Sequence, residues 1–228
     1  MKAAFIQNVS HEVRTPLNII SGFAQVLADP TLKSTPEQRK LMAQTMMHNT
    51  RLITRLVDEM LELSFNETTG TAPKDDSVEV NQLLKELADE VKNELKSGVE
   101  LTVDSSLAND YTLVTNRAVL KGILQALVDN AMKYTEKGAI TLTAQATDHM
   151  LTLAVEDSGC GIPAEQADHI FDRFVKLDNF KEGLGLGLPL CRVMAQRLGA
   201  NVVLDTAYTA PKELKGGTGA RFVVDVPL

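Results

Sequence analysis

Hydrophobic and polar residues alternate near the start of the chain with the period of an amphipathic helix. Between Ile6 and Leu27, hydrophobic residues recur at spacings of three and four, and this spacing places them on one helical face. Asp29 and Pro30 then interrupt the pattern. We therefore predict a long first helix that ends at this pair.

A second helix of the same kind is predicted from residue 36. Thr35 is a typical N-cap, and Pro36 is well suited to the first helical position. The hydrophobic positions that follow alternate between spacings of four and three, the heptad spacing of helical bundles; they are Met42, Met46, Ile53, Leu56, Met60 and Leu63, with Asn49 in the same register. The two helices are predicted to form a hairpin over residues 1–65.

A lone hairpin leaves part of its hydrophobic seam in water. Two hairpins side by side close a four-helix core, so we predict a homodimer through residues 1–65. The alternative is a hairpin that packs against the rest of its own chain. Asn49 would fix the register of a bundle, or would lie at its solvated edge.

The remainder of the chain predicts a linker and a second domain. Residues 66–77 have no periodic hydrophobic pattern and are rich in Thr, Asp, Gly and Pro. Within residues 78–228 we predict helices over 81–96, 117–134 and 188–198, and strands over 99–104, 112–114, 139–147, 150–156, 201–206 and 219–226. This order predicts an α/β sandwich, with helices covering one face of a sheet.

Composition excludes several classes of function. The net charge is −7, which argues against binding to nucleic acid. Cys160 and Cys191 lie in unrelated segments without metal-ligand spacing, so a disulfide framework and a zinc site are not expected. No hydrophobic run is long enough to span a membrane, and polar residues interrupt the N-terminal segment too early for a secretory signal. The chain is expected to be soluble in a reducing compartment.

His11 is the first candidate for chemistry. It points roughly 160° away from the hydrophobic stripe of its helix and so faces water. Glu12 is adjacent, and Thr15 lies one turn further on the same face. An exposed imidazole is a competent nucleophile near neutral pH, and a neighbouring carboxylate can accept or orient its other ring proton. A histidine on a solvated helix face usually has no function, and that is the alternative for His11. Pro16 removes a helical hydrogen bond just beyond this turn and provides a deformable point there.

Three stretches in the second domain indicate a nucleotide site. Asn130 and Lys133 lie on one face of a predicted helix, where an amide oxygen can bind Mg²⁺ and an ammonium can meet phosphate. Asp157 follows a strand and offers an acceptor to an amine such as that of adenine. Glycines that allow close backbone approach to a ligand complete the set: Gly159, Gly161, Gly183, Gly185 and Gly187. Each stretch alone is weak, and GLGLGLP matches neither the dinucleotide nor the P-loop motif.

Taken together and in order, these segments resemble the sensor histidine kinases of two-component systems. SHEVRTPL resembles the phospho-acceptor H box of that family, LVDNAMKYT the N box, EDSGCGIP the G1 box, IFDRFVKLD the F box and GLGLGL the G2 box. The resemblance covers essentially the whole chain. It implies a dimeric four-helix bundle of hairpins followed by an α/β sandwich of the Bergerat (GHKL) type, here residues 78–228.

The resemblance also assigns roles to individual residues. His11 is the implied phospho-acceptor, Glu12 its acid/base partner, and Thr15 a residue of phosphatase activity. In the nucleotide domain the implied Mg²⁺ ligand is Asn130, the phosphate and ribose side is formed by Lys133 and Tyr134, and the adenine-reading acid is Asp157. The five glycines match those of the ATP site and its lid, and Phe171 and Phe174 match the F box.

Two positions depart from the family pattern. Ala126 stands where the N box often has a second asparagine, which puts the metal shell or the balance between kinase and phosphatase in doubt. The lid between Phe174 and Gly183 is short, only VKLDNFKE.

The function that the resemblance implies is an autokinase that uses ATP and Mg²⁺. It would phosphorylate His11 and pass the phosphoryl group to an aspartate of a response-regulator receiver domain. The alternative is a phosphatase-biased or catalytically degenerate signalling scaffold. A Bergerat ATPase of the chaperone or topoisomerase kind does not explain the exposed HExxT. We expect the chain to be the cytoplasmic portion of a membrane-anchored bacterial sensor, attached through segments outside this sequence.

Overall fold

Two long helices form the N-terminal hairpin. The computed structural model describes residues 2–178, 185–214 and 216–228. Helix α1 spans Lys2–Ala28 and α2 spans Pro36–Thr68. Pro16 lies inside α1, which continues past it. The prediction of two helices separated near Asp29 and Pro30 is confirmed, and α2 runs three residues beyond position 65.

The start of α2 is fixed by a capping box. The Thr35 hydroxyl accepts a hydrogen bond from the Gln38 amide at 3.2 Å, and the Gln38 side chain accepts one from the Thr35 amide at 2.9 Å. These bonds satisfy two backbone donors that a helix end otherwise leaves unpaired. The N-cap predicted at Thr35 is therefore present, with a reciprocal partner at Gln38.

The hairpin buries one side of its seam and exposes several large hydrophobic side chains. Leu56 and Asn49 are buried, and the Asn49 amide donates to the Thr45 carbonyl at 2.8 Å. Large hydrophobic side chains of the hairpin that are at least 40% exposed include Leu17, Leu27, Leu32, Leu41, Met47, Val57, Leu61 and Phe65. A hydrophobic surface of this kind is typical of a helix pair that associates with another surface.

A small two-stranded sheet joins the hairpin to the main domain. Strand β1 (Asp76–Glu79) pairs antiparallel with β3 (Thr112–Thr115). The sequence did not predict β1, which occupies the end of the predicted linker. The stretch without helix or strand is therefore 69–75, shorter than the 66–77 expected.

The main domain is one five-stranded sheet with three helices on one face. In chain order, its elements are α3 (Val80–Val91), β2 (Val99–Ser105), α4 (Arg117–Tyr134), β4 (Gly138–Ala146), β5 (Met150–Asp157), α5 (Gly187–Leu198), β6 (Asn201–Leu204) and β7 (Ala220–Pro227). The strand order is β2-β4-β5-β7-β6, with β2 and β4 parallel and the other neighbours antiparallel. The predicted α/β sandwich is confirmed, although α3 ends at Val91 rather than near Lys96 and a single 3₁₀ turn follows it.

Burial alternates along the strands as a sheet covered on one face requires. In β4, Ile140 and Leu142 are buried while Thr141 and Thr143 are partly exposed. Leu127 of α4 is buried in the same hydrophobic core. Because the open face of the sheet is polar, the core lies between the sheet and the helices.

The C-terminal turns of α2 pack against this domain of the same chain. Leu63 is 2% exposed and belongs to the hydrophobic core of the main domain. Arg197 of α5 donates from Nε to the Gly70 carbonyl at 3.1 Å, and its guanidinium also donates to the buried Asn66 side chain. The alternative considered for the hairpin, packing on its own chain, is thus observed for the end of α2.

Candidate functional site

His11, Glu12 and Thr15 lie within one turn of α1. The His11 and Thr15 side chains are exposed, and Glu12 is half-buried. The Thr15 hydroxyl donates to the His11 carbonyl at 3.3 Å. The structure thus places the predicted nucleophile in solvent, with a carboxylate next to it and a hydroxyl one turn away. Pro16 is buried against the hairpin, and its role as a deformable point stays a prediction.

Asp157 ends β5 in a buried position. Its side chain is 4% exposed, and Oδ1 accepts a hydrogen bond from the Gly159 amide at 2.8 Å. Burial raises the pKa of Asp157 to about 6, while hydrogen bonds from the Gly159 and Ala220 amides act in the opposite direction. When ionised, a carboxylate held this way is a strong acceptor for a hydrogen-bond donor that reaches it.

The C-terminal end of α4 lies against the segment that follows Asp157. A Cβ atom at Gly159 would lie 2.5 Å from the Tyr134 carbonyl oxygen, so only glycine fits this contact. The Lys133 ammonium lies 4.9 Å from the centre of the Tyr134 ring, and Asn130 is half-buried one turn earlier. The end of α4 and the end of β5, which carry the predicted nucleotide-binding residues, are therefore brought together.

Sequence reasoning missed a lysine that supports this end of α4. Lys96 donates to the carbonyls of Lys133 and Thr135, at 3.2 and 3.3 Å. These are among the carbonyls that a helix end leaves unpaired, and a cation at this position is favourable. The only sequence signal was a lysine after the end of α3, which has no pattern of its own.

A second missed feature is the Gly-Gly-Thr-Gly turn at 216–219, just before β7. The Gly217 amide donates to the Ser158 carbonyl at 2.7 Å and the Gly219 amide to the Gly159 carbonyl at 3.0 Å. The Thr218 hydroxyl donates to the next carbonyl, that of Cys160, at 3.2 Å. Three consecutive carbonyls after Asp157 are thus held by one turn. Two glycines in a row before a strand were the available signal.

The F box and the second glycine cluster meet at Phe174 and Gly185. The Phe174 amide donates to the Gly185 carbonyl at 3.0 Å. Gly185 has φ +68°, and a Cβ there would lie 2.5 Å from the Val175 carbonyl oxygen. Phe171 is buried and contacts Phe222 edge to face, with ring centroids 6.2 Å apart. Phe171 is therefore part of the core, Phe174 packs against it, and the Phe174 backbone is held next to Gly185; support of a lid by these residues stays a prediction.

The remaining predicted glycines have different surroundings. Gly161 has φ +79° and lies against the Thr218 hydroxyl, leaving no space for a side chain. Gly187 is the first residue of α5 and has open space around its α-carbon. Gly183 lies outside the described residues.

Ala126 lies one turn before Asn130 on α4. It is partly buried and packs against the hydrophobic core of the domain. The amide that the family pattern often has at this position is therefore replaced by a hydrophobic contact.

Charged groups of α2 and α4 influence each other, and one of them is Lys133, a predicted nucleotide-binding residue. Burial raises the pKa of Glu59 on α2, while the positive charges of Arg55 and Lys133 lower it. Burial also raises the pKa of Asp129 on α4, which accepts a hydrogen bond from Gln125 at 2.8 Å. The field at Lys133 therefore includes a carboxyl group of the hairpin.

Two family models match the chain. Residues 1–69 match the His Kinase A (phospho-acceptor) domain, and residues 115–228 match the histidine kinase-, DNA gyrase B- and HSP90-like ATPase. The chain belongs to the sensor histidine kinases. For this kinase core, the resemblance seen in the order of its motifs is confirmed.

Individual relatives agree with this assignment. Sensor protein SrrB of Staphylococcus aureus is 28% identical over all of the kinase core, which spans 38% of the length of that relative. The structure of histidine kinase ThkA in complex with response regulator TrrA superposes with a TM-score of 0.75 at 23% identity, covering 98% of the core and 61% of that chain. Full-length ShkA in complex with AMPPNP superposes with a TM-score of 0.69 at 26% identity, covering 98% of the core and 45% of that chain. The kinase core therefore shares both its domains and their fold with known histidine kinases.

Two further observations concern membranes and metals. Among the described residues, no helix is both long and apolar enough to cross a membrane. Within the same residues, no cluster of three or more His, Cys, Asp or Glu side chains is arranged to hold a metal ion.

Proposed function

We propose that the chain is the core of an ATP-dependent autokinase that phosphorylates His11 and transfers the phosphoryl group to a response-regulator aspartate. The observation that carries this proposal is the presence, in one chain, of a solvent-facing His11 and of the buried Asp157 carboxyl, which lies at the end of β5 beside the end of α4. The ShkA complex with AMPPNP and the ThkA complex with TrrA support the nucleotide and the partner.

In this proposal the pocket binds ATP through groups with separate tasks. Asp157, as the carboxylate, accepts a hydrogen bond from the adenine amine, and the glycines after it admit the base. Lys133 faces the phosphates, with Tyr134 beside it, and the backbone around Gly185 and Gly187 lines the lid side. Binding positions the γ-phosphate for transfer and neutralises its charge, which is most of what phosphoryl transfer requires.

The described residues fit a Mg²⁺ ion that is bound partly by the protein and partly by the phosphates of ATP. Asn130 offers one amide oxygen, and Mg²⁺ commonly completes its shell with substrate phosphates and water rather than with a full set of protein ligands. When bound, the ion would neutralise phosphate charge. Since Ala126 adds no donor, Asn130 is the residue of this chain that we assign to the metal.

On the hairpin, His11 acts as the nucleophile. One imidazole nitrogen forms a bond to the γ-phosphorus while the bond from phosphorus to the β,γ-bridging oxygen breaks, and ADP leaves. Glu12 is close enough in sequence to accept the proton of the other ring nitrogen. The phosphoryl group then passes to the aspartate of the receiver domain, which regenerates free His11.

The homodimer through residues 1–65 is part of this proposal. The exposed leucines and Phe65 of the hairpin support it, because a second hairpin would remove them from water. The domain limits 1–65 and 78–228 and the cytoplasmic location expected from the sequence also stay predictions, as does the absence of a nucleic-acid partner.

The proposal is tested by incubating the protein with Mg²⁺ and γ-labelled ATP. We expect label that is lost in acid and kept in base, as for a phosphohistidine. A His11→Gln variant should bind ADP like the wild type and incorporate no label. Label retained in this variant, or stable to acid, would contradict the assignment of His11.

A second candidate function is a phosphatase-biased or degenerate scaffold. The observation that favours it is Ala126, which packs against the hydrophobic core at the position where the family pattern often has an amide. Calorimetry separates the two, because a degenerate pocket gives no Mg²⁺-dependent heat with ATP. If ATP binds and no label appears, release of phosphate from a phosphorylated receiver domain, compared with a Thr15→Ala variant, would test the phosphatase.

A further inference from the structure

Arg221 on β7 links β5 to the residue that follows β6, at one end of the strands of the sheet that carries Asp157. Its Nε donates to Glu156 Oε1 at 2.9 Å, and its Nη1 donates to Asp205 Oδ2 at 2.9 Å. Glu156 is in β5, and Asp205 directly follows β6. All three side chains are about a quarter exposed, so the network is partly shielded from water.

The network lies outside the nucleotide pocket. Glu156 is directly opposite Arg221 in the sheet, and Asp157 is opposite Ala220. Because successive side chains of a strand point to opposite faces, Arg221 is on the open face of the sheet while Asp157 is on the helix-covered face. Any effect of Arg221 on a nucleotide must therefore act through the backbone.

A path for that effect is present in the loop between β6 and β7. The loop leaves at Asp205 and returns at Ala220, and the Asp205 amide also donates to the Arg221 carbonyl at 2.8 Å. Arg221 thus closes both ends of the loop through backbone and side chain. The last residues of the loop are the 216–219 turn, which holds the three carbonyls after Asp157.

The segment held by this turn positions the carboxyl group itself. Gly159, whose carbonyl accepts from Gly219, donates through its amide to Asp157 Oδ1. A Cβ at Gly219 would lie 2.2 Å from the Asp157 carbonyl oxygen, so turn and segment are in direct contact. A shift at the base of the loop therefore reaches Asp157 within two hydrogen bonds.

We propose that Arg221 is a positioning residue for nucleotide binding, acting through the 216–219 turn to hold Asp157 in place for adenine. The inference rests on the proposed function of Asp157 as the adenine acceptor. Replacing Arg221 loosens the loop base and widens the range of positions that the carboxylate occupies. Binding of adenine nucleotides weakens, whereas transfer from bound ATP is preserved, because His11, Asn130 and Lys133 are on other elements.

The test uses an Arg221→Gln variant of the whole chain. ADP affinity measured by calorimetry should fall about fivefold, the size expected for a partly shielded ion-pair network. The KM for ATP in autophosphorylation should rise by the same factor, and kcat should stay within about twofold. Arg221→Lys, which can keep only one of the two ion pairs at a time, should be intermediate.

Base selectivity distinguishes positioning from a general loss of structure. Guanine has a carbonyl where adenine has the amine, so a well-placed carboxylate favours ATP over GTP. Arg221→Gln should lower this preference. A matched control is Lys121→Gln, which removes the 2.6 Å ion pair between Lys121 and Glu90 on other helices and should leave ADP affinity unchanged. If Arg221→Gln folds poorly, Asp205→Asn can replace it. That variant removes half of the network and should also lower the affinity for ADP.

Each outcome decides between hypotheses. An unchanged ADP affinity with a lower melting temperature, or an equal loss of ATP and GTP affinity, would overturn the role of Arg221 and leave it as a structural ion pair. Absence of ADP binding to the wild type, with Asp157→Asn as the reference for a lost site, would instead reject the proposed function. A fivefold loss confined to adenine nucleotides would establish the positioning role.

Discussion

Replacing Asp157 with asparagine should stabilise the protein while it removes nucleotide binding. Folding raises the pKa of this carboxyl from 3.8 to about 6, mainly by burial. One pKa unit corresponds to about 1.4 kcal/mol, so keeping Asp157 ionised at neutral pH costs about 3 kcal/mol of folding free energy. Asparagine keeps the oxygen that accepts from the Gly159 amide and carries no charge. We expect the Asp157→Asn variant to be about 2 to 3 kcal/mol more stable above pH 7.

The sign of the pH dependence follows from linkage. Below pH 3.8 Asp157 is neutral in both the folded and the unfolded protein, so the two proteins should be equally stable with respect to this group. As pH rises from 4 to 6, the folded wild type still binds a proton that the unfolded chain has lost, and the wild type loses stability relative to the variant. Above about pH 7, where Asp157 is ionised in both states, the difference is complete and constant.

Denaturant unfolding of both proteins at several pH values between 4 and 8 measures this difference, and calorimetry with ADP measures the lost site. A matched comparison is Asp205→Asn, because its hydrogen bond from Arg221 lowers the pKa of Asp205. That variant should lose stability at neutral pH and approach the wild type in acid, the opposite sign. An Asp157→Asn protein that is less stable than the wild type at pH 8, or whose advantage is the same at pH 4, would refute the argument from burial.

Three further predictions follow from local geometry. Thr35→Ala removes the acceptor of the capping box and should lower the free energy of unfolding by about 1 kcal/mol; an unchanged denaturant midpoint would show that the cap contributes nothing. Gly185→Ala places a methyl group against a carbonyl at positive φ and should lower stability by about 1 to 3 kcal/mol and weaken ATP binding, whereas Gly187→Ala, which meets open space, should do neither. Arg197→Met leaves the buried Asn66 oxygen without its donor and should cost about 1 to 3 kcal/mol. It should also speed proteolysis within 69–75, whereas Gln196→Met, at an exposed neighbouring position, should change neither.

The elements that the sequence predicted correctly are those with a local cause. The hairpin helices follow from three-four spacing and from the cap at Thr35, and the strands β4 and β5 follow from alternation of hydrophobic residues. Strand β1 was missed because Asp76–Glu79 has only one buried side chain, and it forms only by pairing with β3, more than thirty residues later. The end of α3 was placed too late because no glycine or proline marks it.

The candidate site shows the same division. The positions of Asp157 and of the α4 end could be read from motifs, because glycines and charged groups there follow regular elements. Lys96 and the 216–219 turn could not, since each acts through backbone carbonyls of a segment distant in sequence. Lys96 has no sequence pattern around it, and the paired glycines of the turn do not indicate which carbonyls the turn will hold.

The burial of Leu63 shows that the folded catalytic domain includes the end of α2. The side chain belongs to the hairpin by sequence, yet it is buried in the core of the domain that starts after the linker. A fragment cut at residue 70 to study the catalytic domain alone would lack Leu63 and leave its site in the core open to water, a loss of about 2 to 5 kcal/mol if it resembles removal of a buried leucine side chain. Nucleotide affinities measured on such a fragment would then describe a domain that lacks one of its core side chains. A fragment of the catalytic domain should therefore include the last two turns of α2.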